Sequence, residues 1–323
     1  MKTIIFLIPD GSLKPSSLFA SIEVFEKANE YYTNKGESEF YDIKIAGVDP
    51  SQNLLNSRLF IRSTMDITSV INPDLIIIPG LNEKNDYSGD TNRDLINWVV
   101  KHYKDGCEIA SLCTGTFFLA VTGLLKGREC STHWRAQDTF TTMFPDVILL
   151  TDKIITDSKG IYTAGGANSS LNLILYLIEK FNGREAALYC AKVLQIDISR
   201  NSQAPFILFE GQKNHSDQDI KEVQLYIEKN IDKKVSVEAL ADQFNMSRRN
   251  FVRRFKTATK NTPIEYIQRI KMEAAKRNFE MSRKNINEVM DAVGYTDTKA
   301  FRTTFRKVTG LTPLDYKTKF SKT

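Results

Sequence analysis

Two groups of residues in this chain are of types and spacings that could do chemistry. The first is a thiol, Cys113, in the run IASLCTG at residues 109–115. The residues before it, CEIASL, are apolar and β-prone, and those after Thr114-Gly115 have helical length, so Cys113 falls at a strand-to-helix junction. A side chain there is thrust out at the carboxyl end of a sheet, and the positive end of the following helix favours a thiolate. The second group is basic: Arg249, Arg253 and Lys256 in one helical stretch, with Lys299, Arg302 and Arg306 in another. Arginine reads guanine edges with paired hydrogen bonds, and lysine mainly holds phosphates.

The elements that must position the thiol lie in the first 190 residues. Short β-branched runs, TIIFLIP, DIKIAGV, DLIIIPG and CEIASL, alternate with amphipathic stretches such as SLFASIEVFEKANEYYTN. That alternation predicts a parallel sheet covered by helices on both faces. ITDSKGIYTAGG reads as a hairpin leading into a loop, and SSLNLILYLIEKFNG as the helix that follows. Residues 197–216 have mixed polarity and few regular features, so the domain connection is placed there.

The basic helices sit inside an internal repeat. FKTATKNTPIEY at 255–266 returns as FRKVTGLTPLDY at 305–316, with Phe255/Phe305, Thr259/Thr309, Pro263/Pro313 and Tyr266/Tyr316 each fifty residues apart. Upstream of each copy stand an apolar helix, a short polar turn and a helix with aromatics four apart, which is a helix-turn-helix unit. Ser236 and Ser247 read as helix caps. TPIEYIQRIKMEAAKRNF, opening with a Thr cap and Pro, predicts one long helix joining the two units. With Phe251, Phe255, Phe301 and Phe305 turned inward, about 100° per residue puts the basic side chains outward. Arg248, Arg249, Asn250, Arg253 and Lys256 of the first unit, and Thr298, Lys299, Arg302, Thr303 and Arg306 of the second, are the expected DNA contacts.

Bulk properties agree with two modules. At 323 residues, and roughly 150 residues per domain, the chain should hold two. Residues 217–323 carry 23 Lys and Arg against 14 Asp and Glu, a net of +9, while residues 1–216 carry 21 against 25, a net of −4. A basic module joined to a mildly acidic one suits nucleic acid at one end only. No apolar run approaches the roughly 20 residues that span a bilayer, and MKTIIFLIPDG reads as a first strand rather than a signal peptide. The four cysteines, 107, 113, 130 and 190, form no CxxC pair, which fits a reducing cytoplasm without disulfides or a metal site. Cys107, Cys130 and Cys190 read as packing residues.

Residues 217–320 resemble the DNA-binding domain of AraC/XylS-type regulators, most clearly through INEVMDAVGYTDTKAFRTTFRKVTGLTPLDY. The resemblance implies two recognition helices entering successive major grooves on one face of DNA. Lys260 departs from it, since the second copy has Gly310 there and the family usually has glycine.

Residues 1 to about 190 are similar to the ThiJ/PfpI family of the class I glutamine-amidotransferase-like fold. LIIIPG at 75–80, ASLCTG at 110–115, GLLKGRECSTHW at 123–134 and YTAGGANSSLNLILYLIE at 162–179 carry the similarity. It implies a nucleophile at Cys113, a histidine partner at His133 and anion-binding amides at Thr114 and Gly80. Family enzymes, including isonitrile hydratases, place an acid where alignment through SIEVF puts Ser17; Asp10, Glu23 and Glu26 are near in sequence but off that position. A hydroxyl cannot take up a proton near neutral pH as a tuned carboxylate can.

Together the resemblances imply an α/β, flavodoxin-like sensing domain (1–196), a linker (197–216) and an all-α double helix-turn-helix domain (217–323). A cytoplasmic, homodimeric transcriptional regulator is expected, with double-stranded DNA and a small-molecule effector as partners, no cofactor and no membrane. The effector would lie near Ser17, Gly80, Cys113, Thr114, His133 and Gly165. The alternatives are a thiol enzyme, hydratase- or amidase-like, and a thiol stress sensor, both working through Cys113.

Overall fold

A computed structural model describes residues 1–9, 13–47, 51–54, 59–69, 72–82 and 92–321. Contacts divide the chain into two units, Met1–Gln203 and Ala204–Thr323. Of the span 197–216 read as a linker, residues up to Gln203 therefore lie with the first unit and Ala204 onward with the second. Asp10 lies outside the described residues.

Unit 1 runs β1 (Lys2–Ile8), α1 (Pro15–Thr33), β2 (Tyr41–Gly47), β3 (Ser51–Leu54), β4 (Leu59–Arg62), β5 (Met65–Asp66), β6 (Leu75–Ile78), α2 (Arg93–Lys104), β7 (Glu108–Leu112), α3 (Gly115–Val121), β8 (Glu129–Cys130), α4 (Gln137–Met143), β9 (Ile148–Leu149), β10 (Ile155–Ser158), β11 (Ile161–Ala164), α5 (Ser169–Asn182) and α6 (Arg184–Val193). Seven strands form one sheet in the order β10-β11-β7-β6-β1-β2-β5. All neighbours are parallel except the β10–β11 hairpin. This is the flavodoxin-like parallel sheet that the alternating runs predict. The central strands are apolar on both faces because both are covered: Ile4 to Leu7, Leu75 to Ile78 and Ile109, Ala110 and Leu112 are fully buried. The β3–β4 hairpin and the short β8–β9 pair were not foreseen from the sequence.

From β1 the chain crosses to β2 on one side and returns to β6 on the other, so the strand order reverses between β1 and β6. Crevices at such a reversal, outside the carboxyl ends of the strands, are where open α/β sheets bind ligands. The residues leaving β6 and β7 there are Pro79-Gly80 and Cys113.

Unit 2 comprises α7 (Gln218–Lys229), α8 (Val237–Gln243), α9 (Arg248–Thr259), α10 (Pro263–Met281), α11 (Ile286–Ala292), α12 (Thr298–Thr309) and α13 (Pro313–Phe320). It has two apolar cores. Ile220, Val223, Leu240, Phe251, Phe255 and Tyr266 fill one; Met272, Phe279, Val289, Phe301, Phe305 and Tyr316 fill the other. Helix α10 supplies residues to both. Its start is a capping box in which the Thr262 hydroxyl accepts from the Glu265 N–H and Glu265 accepts from the Thr262 N–H, with Pro263 next.

The repeat is a repeat of hydrogen bonds as well as letters. The Thr259 hydroxyl donates to the Phe255 carbonyl (2.8 Å) and accepts from the Asn261 N–H (3.2 Å). Thr309 does the same with Phe305 (2.8 Å) and Leu311 (3.2 Å). Each knot closes a recognition-type helix and turns the chain into the next Thr-Pro cap. The turn needs a left-handed residue: Gly310 has φ +74° and Lys260 has φ +57°.

Helix α9 is also tied to α7. Arg254 donates to both carboxylate oxygens of Asp217 (2.9 and 2.7 Å) and to Asp219 (2.8 Å). Asp217 additionally caps α7. The guanidinium holds the Asp217 carboxyl below its usual 3.8. Buried cations add further ties: the Lys271 ammonium donates to the carbonyls of Lys233 and Val293, both at 2.8 Å.

Two stability measurements follow. Lys260→Gly should stabilise unit 2 by about 1 kcal/mol, since only the side-chain-bearing residue is strained at positive φ. Urea unfolding followed on the unit 2 transition reads this, and a loss of stability contradicts it. Arg254→Ala should cost about 1 kcal/mol at pH 7. A depressed native pKa contributes stability that is complete above the unfolded value and lost as pH falls through the native one. The difference between wild type and Arg254→Ala should therefore shrink as the pH drops below 3.8; a difference that grows in acid would exclude the clamp.

Candidate functional site

Cys113 sits at φ +54°, a conformation that costs a residue with a Cβ on the order of 1 kcal/mol. The cause is next door. A Cβ on Gly115 would lie 2.4 Å from the Pro79 carbonyl oxygen and 2.7 Å from that of Ile78. Helix α3 thus starts in contact with the end of β6, and the chain leaving β7 must turn left-handed to reach it. The Cys113 N–H donates to the Ala164 carbonyl of β11 at 2.9 Å. Its own carbonyl accepts from the hydroxyls of Thr116 (3.1 Å) and Thr132 (2.9 Å). Strain at a buried strand-to-helix turn is the geometry of a nucleophile elbow.

The other members of the expected pocket lie around this turn, but several are already engaged. The Gly80 N–H donates to the Ser17 hydroxyl at 2.9 Å, and Ser17 donates to the Lys14 carbonyl at 2.8 Å. Gly80 therefore has its amide committed to Ser17, where an anion hole would need it for the substrate. Thr114 exchanges hydrogen bonds with Leu81, accepting from its N–H at 3.0 Å and donating to its carbonyl. His133 is half-buried, and its Nδ1 accepts from the Arg135 N–H at 3.2 Å. Gly165 packs where a Cβ would meet Gln203 Nε2 at 2.4 Å and Ser131 Oγ at 2.5 Å.

Cys113 is fully buried in this chain. Cys107, Cys130 and Cys190 are buried too, and burial pushes the thiols of Cys107 and Cys130 up to about 12 and that of Cys190 to about 11. A cavity of about 480 Å³ opens at the opposite, amino-terminal edge of the sheet, lined by Lys2, Asp74, His102, Cys107 and Glu108 among others. Its acids are engaged, Asp74 by Lys2 and by the Thr3 N–H, Glu108 by the Tyr162 hydroxyl. The elbow edge, with its strand reversal and strained cysteine, is the better candidate. Among the described residues, no group of three or more His, Cys, Asp or Glu side chains could hold a metal ion.

In unit 2 the inward residues of α9 and α12, Phe251, Phe255, Phe301 and Phe305, are fully buried. Arg248, Arg249, Arg253, Lys256, Thr298, Lys299, Arg302, Thr303 and Arg306 are exposed, and Asn250 is half-buried. Arg248 pairs with Glu238 at 2.7 Å, and Arg253 donates to Asn250 Oδ1 at 2.9 Å, which fixes its guanidinium. Among the described residues, Arg249, Lys256, Lys299, Arg302 and Arg306 have no carboxylate within ion-pair distance. A groove of about 400 Å³ beside α12 is lined by Ile286, Arg302, Thr303, Arg306, Thr312 and Leu314, among others.

Sequence reasoning missed two groups. Arg254 could have been set apart from the exposed arginines by the repeat, whose matching residue is the uncharged Thr304. Gln203, in the segment read as a linker, had no signal at all.

Known proteins resemble the chain over both units. The DJ-1/PfpI family model matches residues 8–180, more than half of the chain, and a helix-turn-helix domain model matches 240–319. The transcriptional regulator GbdR of Pseudomonas aeruginosa is 24% identical over 224 residues, 69% of this chain and 61% of that protein. The regulator ArgR of the same species is 27% identical over 211 residues, 65% and 64% of the two. The chain thus spans less than two thirds of either relative. A crystal structure of an AraC family transcriptional regulator from Pseudomonas putida superposes at a TM-score of 0.52 and 16% identity, covering 60% of this chain and 100% of that one; it shares the fold. No helix among the described residues is long and apolar enough to cross a membrane. The chain belongs to the DJ-1/PfpI family, with a helix-turn-helix domain of the AraC type following that fold.

Proposed function

We propose that the chain is a sequence-specific DNA-binding transcriptional regulator, working as a homodimer in the cytoplasm, whose unit 1 senses a small metabolite. The observation that carries this reading is the duplicated helix-turn-helix with exposed basic residues on the second helix of each copy. A merely solubilising surface would not concentrate arginine on α9 and α12 and repeat the arrangement at a fixed interval. The names of GbdR and ArgR support the same reading.

The effector site is the elbow edge near Ser17, Gly80, Cys113, Thr114, His133 and Gly165. Binding there acts on DNA affinity through its different affinity for two arrangements of the chain. Catalysis is disfavoured because Ser17 holds a backbone amide where family enzymes place an acid. Burial of Cys113 likewise works against an oxidant-sensing thiol.

Arg253→Ala and Arg302→Ala should each weaken binding to a preferred duplex by about 1–3 kcal/mol and relax discrimination at one base. Lys256→Ala and Lys299→Ala should weaken binding to all duplexes alike and reduce the salt slope by about 1. Fluorescence anisotropy on duplexes selected from a random pool measures both; unchanged affinity in all four variants would reject this reading face. Incubation with isonitriles, amides or glyoxals should give no turnover. Turnover that disappears in Cys113→Ala would establish the thiol enzyme instead.

A further inference from the structure

Gln203 is the last residue of unit 1 and is 1% exposed. A buried carboxamide is tolerated only when its donors and acceptor are matched, and here they are. Its Nε2 donates to the Thr132 carbonyl at 2.9 Å and to the Lys153 carbonyl at 3.3 Å, and its Oε1 accepts from the Trp134 N–H at 3.3 Å. Its backbone N–H donates to the Asp152 carbonyl at 2.9 Å. Only a glycine at position 165 leaves room for that carboxamide.

The residue that receives Gln203 also touches the elbow. Thr132 donates its hydroxyl to the Cys113 carbonyl at 2.9 Å while its own carbonyl holds Gln203. Thr116 braces the same shelf, donating to the carbonyls of Cys113 (3.1 Å) and Ser131 (3.0 Å). Two hydrogen bonds through a single residue therefore separate the strained cysteine from the end of the unit.

On the other side of Gln203 the chain is anchored again almost at once, within unit 2. The Ile207 carbonyl accepts from the buried Lys276 ammonium, which also pairs with Glu273 at 2.9 Å. The Phe209 N–H donates to Glu273 at 3.3 Å, and the Phe209 ring packs edge-on against Tyr266 at 5.4 Å. Residues 204–206 are thus a short connector, a 3-10 turn at the start of unit 2 in which Ala204 and Pro205 are buried and the Phe206 ring lies edge-on to Phe320 at 5.6 Å. Hydrogen bonds lose strength steeply with distance and angle, so a small shift of the Thr132 carbonyl loosens the Gln203 carboxamide that immediately precedes the connector.

We propose that Gln203 is a positioning residue that couples the Cys113 elbow to the connector, so that a change at the elbow alters how firmly residues 200–207 are held. This rests on the regulator reading above and names the route by which the same site would act.

The test is hydrogen exchange by mass spectrometry on the full chain. Gln203→Met keeps the volume and loses the hydrogen bonds; Thr132→Val removes the bond to Cys113 and leaves the Thr132 carbonyl in place. Gln203→Met should speed exchange of amides 200–207 at least tenfold. Thr132→Val should speed the same amides severalfold, although Gln203 is intact, and the double variant should be no faster than Gln203→Met alone, as coupled residues require. Peptides from α5 should keep wild-type rates. Wild-type exchange in Thr132→Val, or effects that multiply, would overturn the coupling. If Gln203→Met also exposes α5, the milder Gln203→Asn decides the same cycle. Failure of the full chain to select any duplex would sink the regulator reading and leave the exchange result standing, which separates the two.

Discussion

The approach of Gly115 to the carbonyls of Ile78 and Pro79 is the constraint from which the candidate site follows. With no room for a Cβ at that point, α3 begins hard against the end of β6, and Cys113 is forced to positive φ. Its carbonyl is then turned toward Thr116 and Thr132, and those two hydroxyls fix the segment bearing Ser131, Thr132 and His133. One missing methyl group thus sets the cysteine, the histidine and the shelf that receives Gln203.

The same geometry separates inheritance of a fold from inheritance of a reaction. The turn of a nucleophile elbow is present, yet several of the polar groups around it bond within the protein itself. Ser17 accepts the Gly80 amide, Thr114 closes on Leu81, and His133 accepts at Nδ1. With its N–H held by Ser17, the Gly80 amide is withdrawn from the stabilisation of developing negative charge.

What could be read from the residues, and what could not, divides along sequence distance. The caps at Ser236, Ser247 and Thr262, the Thr-Pro starts, the apolar central strands and the fifty-residue repeat are local patterns, and local patterns survive in a string of letters. The Lys260 turn was legible too, because its counterpart is Gly310. The Arg254 clamp reaches back 37 residues to Asp217, and Gln203 bonds across 71 residues to Thr132. Such pairs exist only once the fold has brought them together. The buried ammonium groups of Lys271 and Lys276 were hidden for the same reason, since lysine ordinarily marks a surface. The engagement of the Gly80 amide by Ser17 needed the same knowledge of which loop meets which helix.

Helix α10 contributes Tyr266 and Ile267 to one core of unit 2 and Met272, Ala275 and Phe279 to the other. Nineteen residues of uninterrupted helix make a rod of about 28 Å whose phase is fixed along its whole length. Inserting one amino acid in its middle would swing one half about 100° around the axis and advance it about 1.5 Å relative to the other. Evolution of a chain built this way is consequently free to exchange side chains on either outer surface, but closed to indels in the shaft between them.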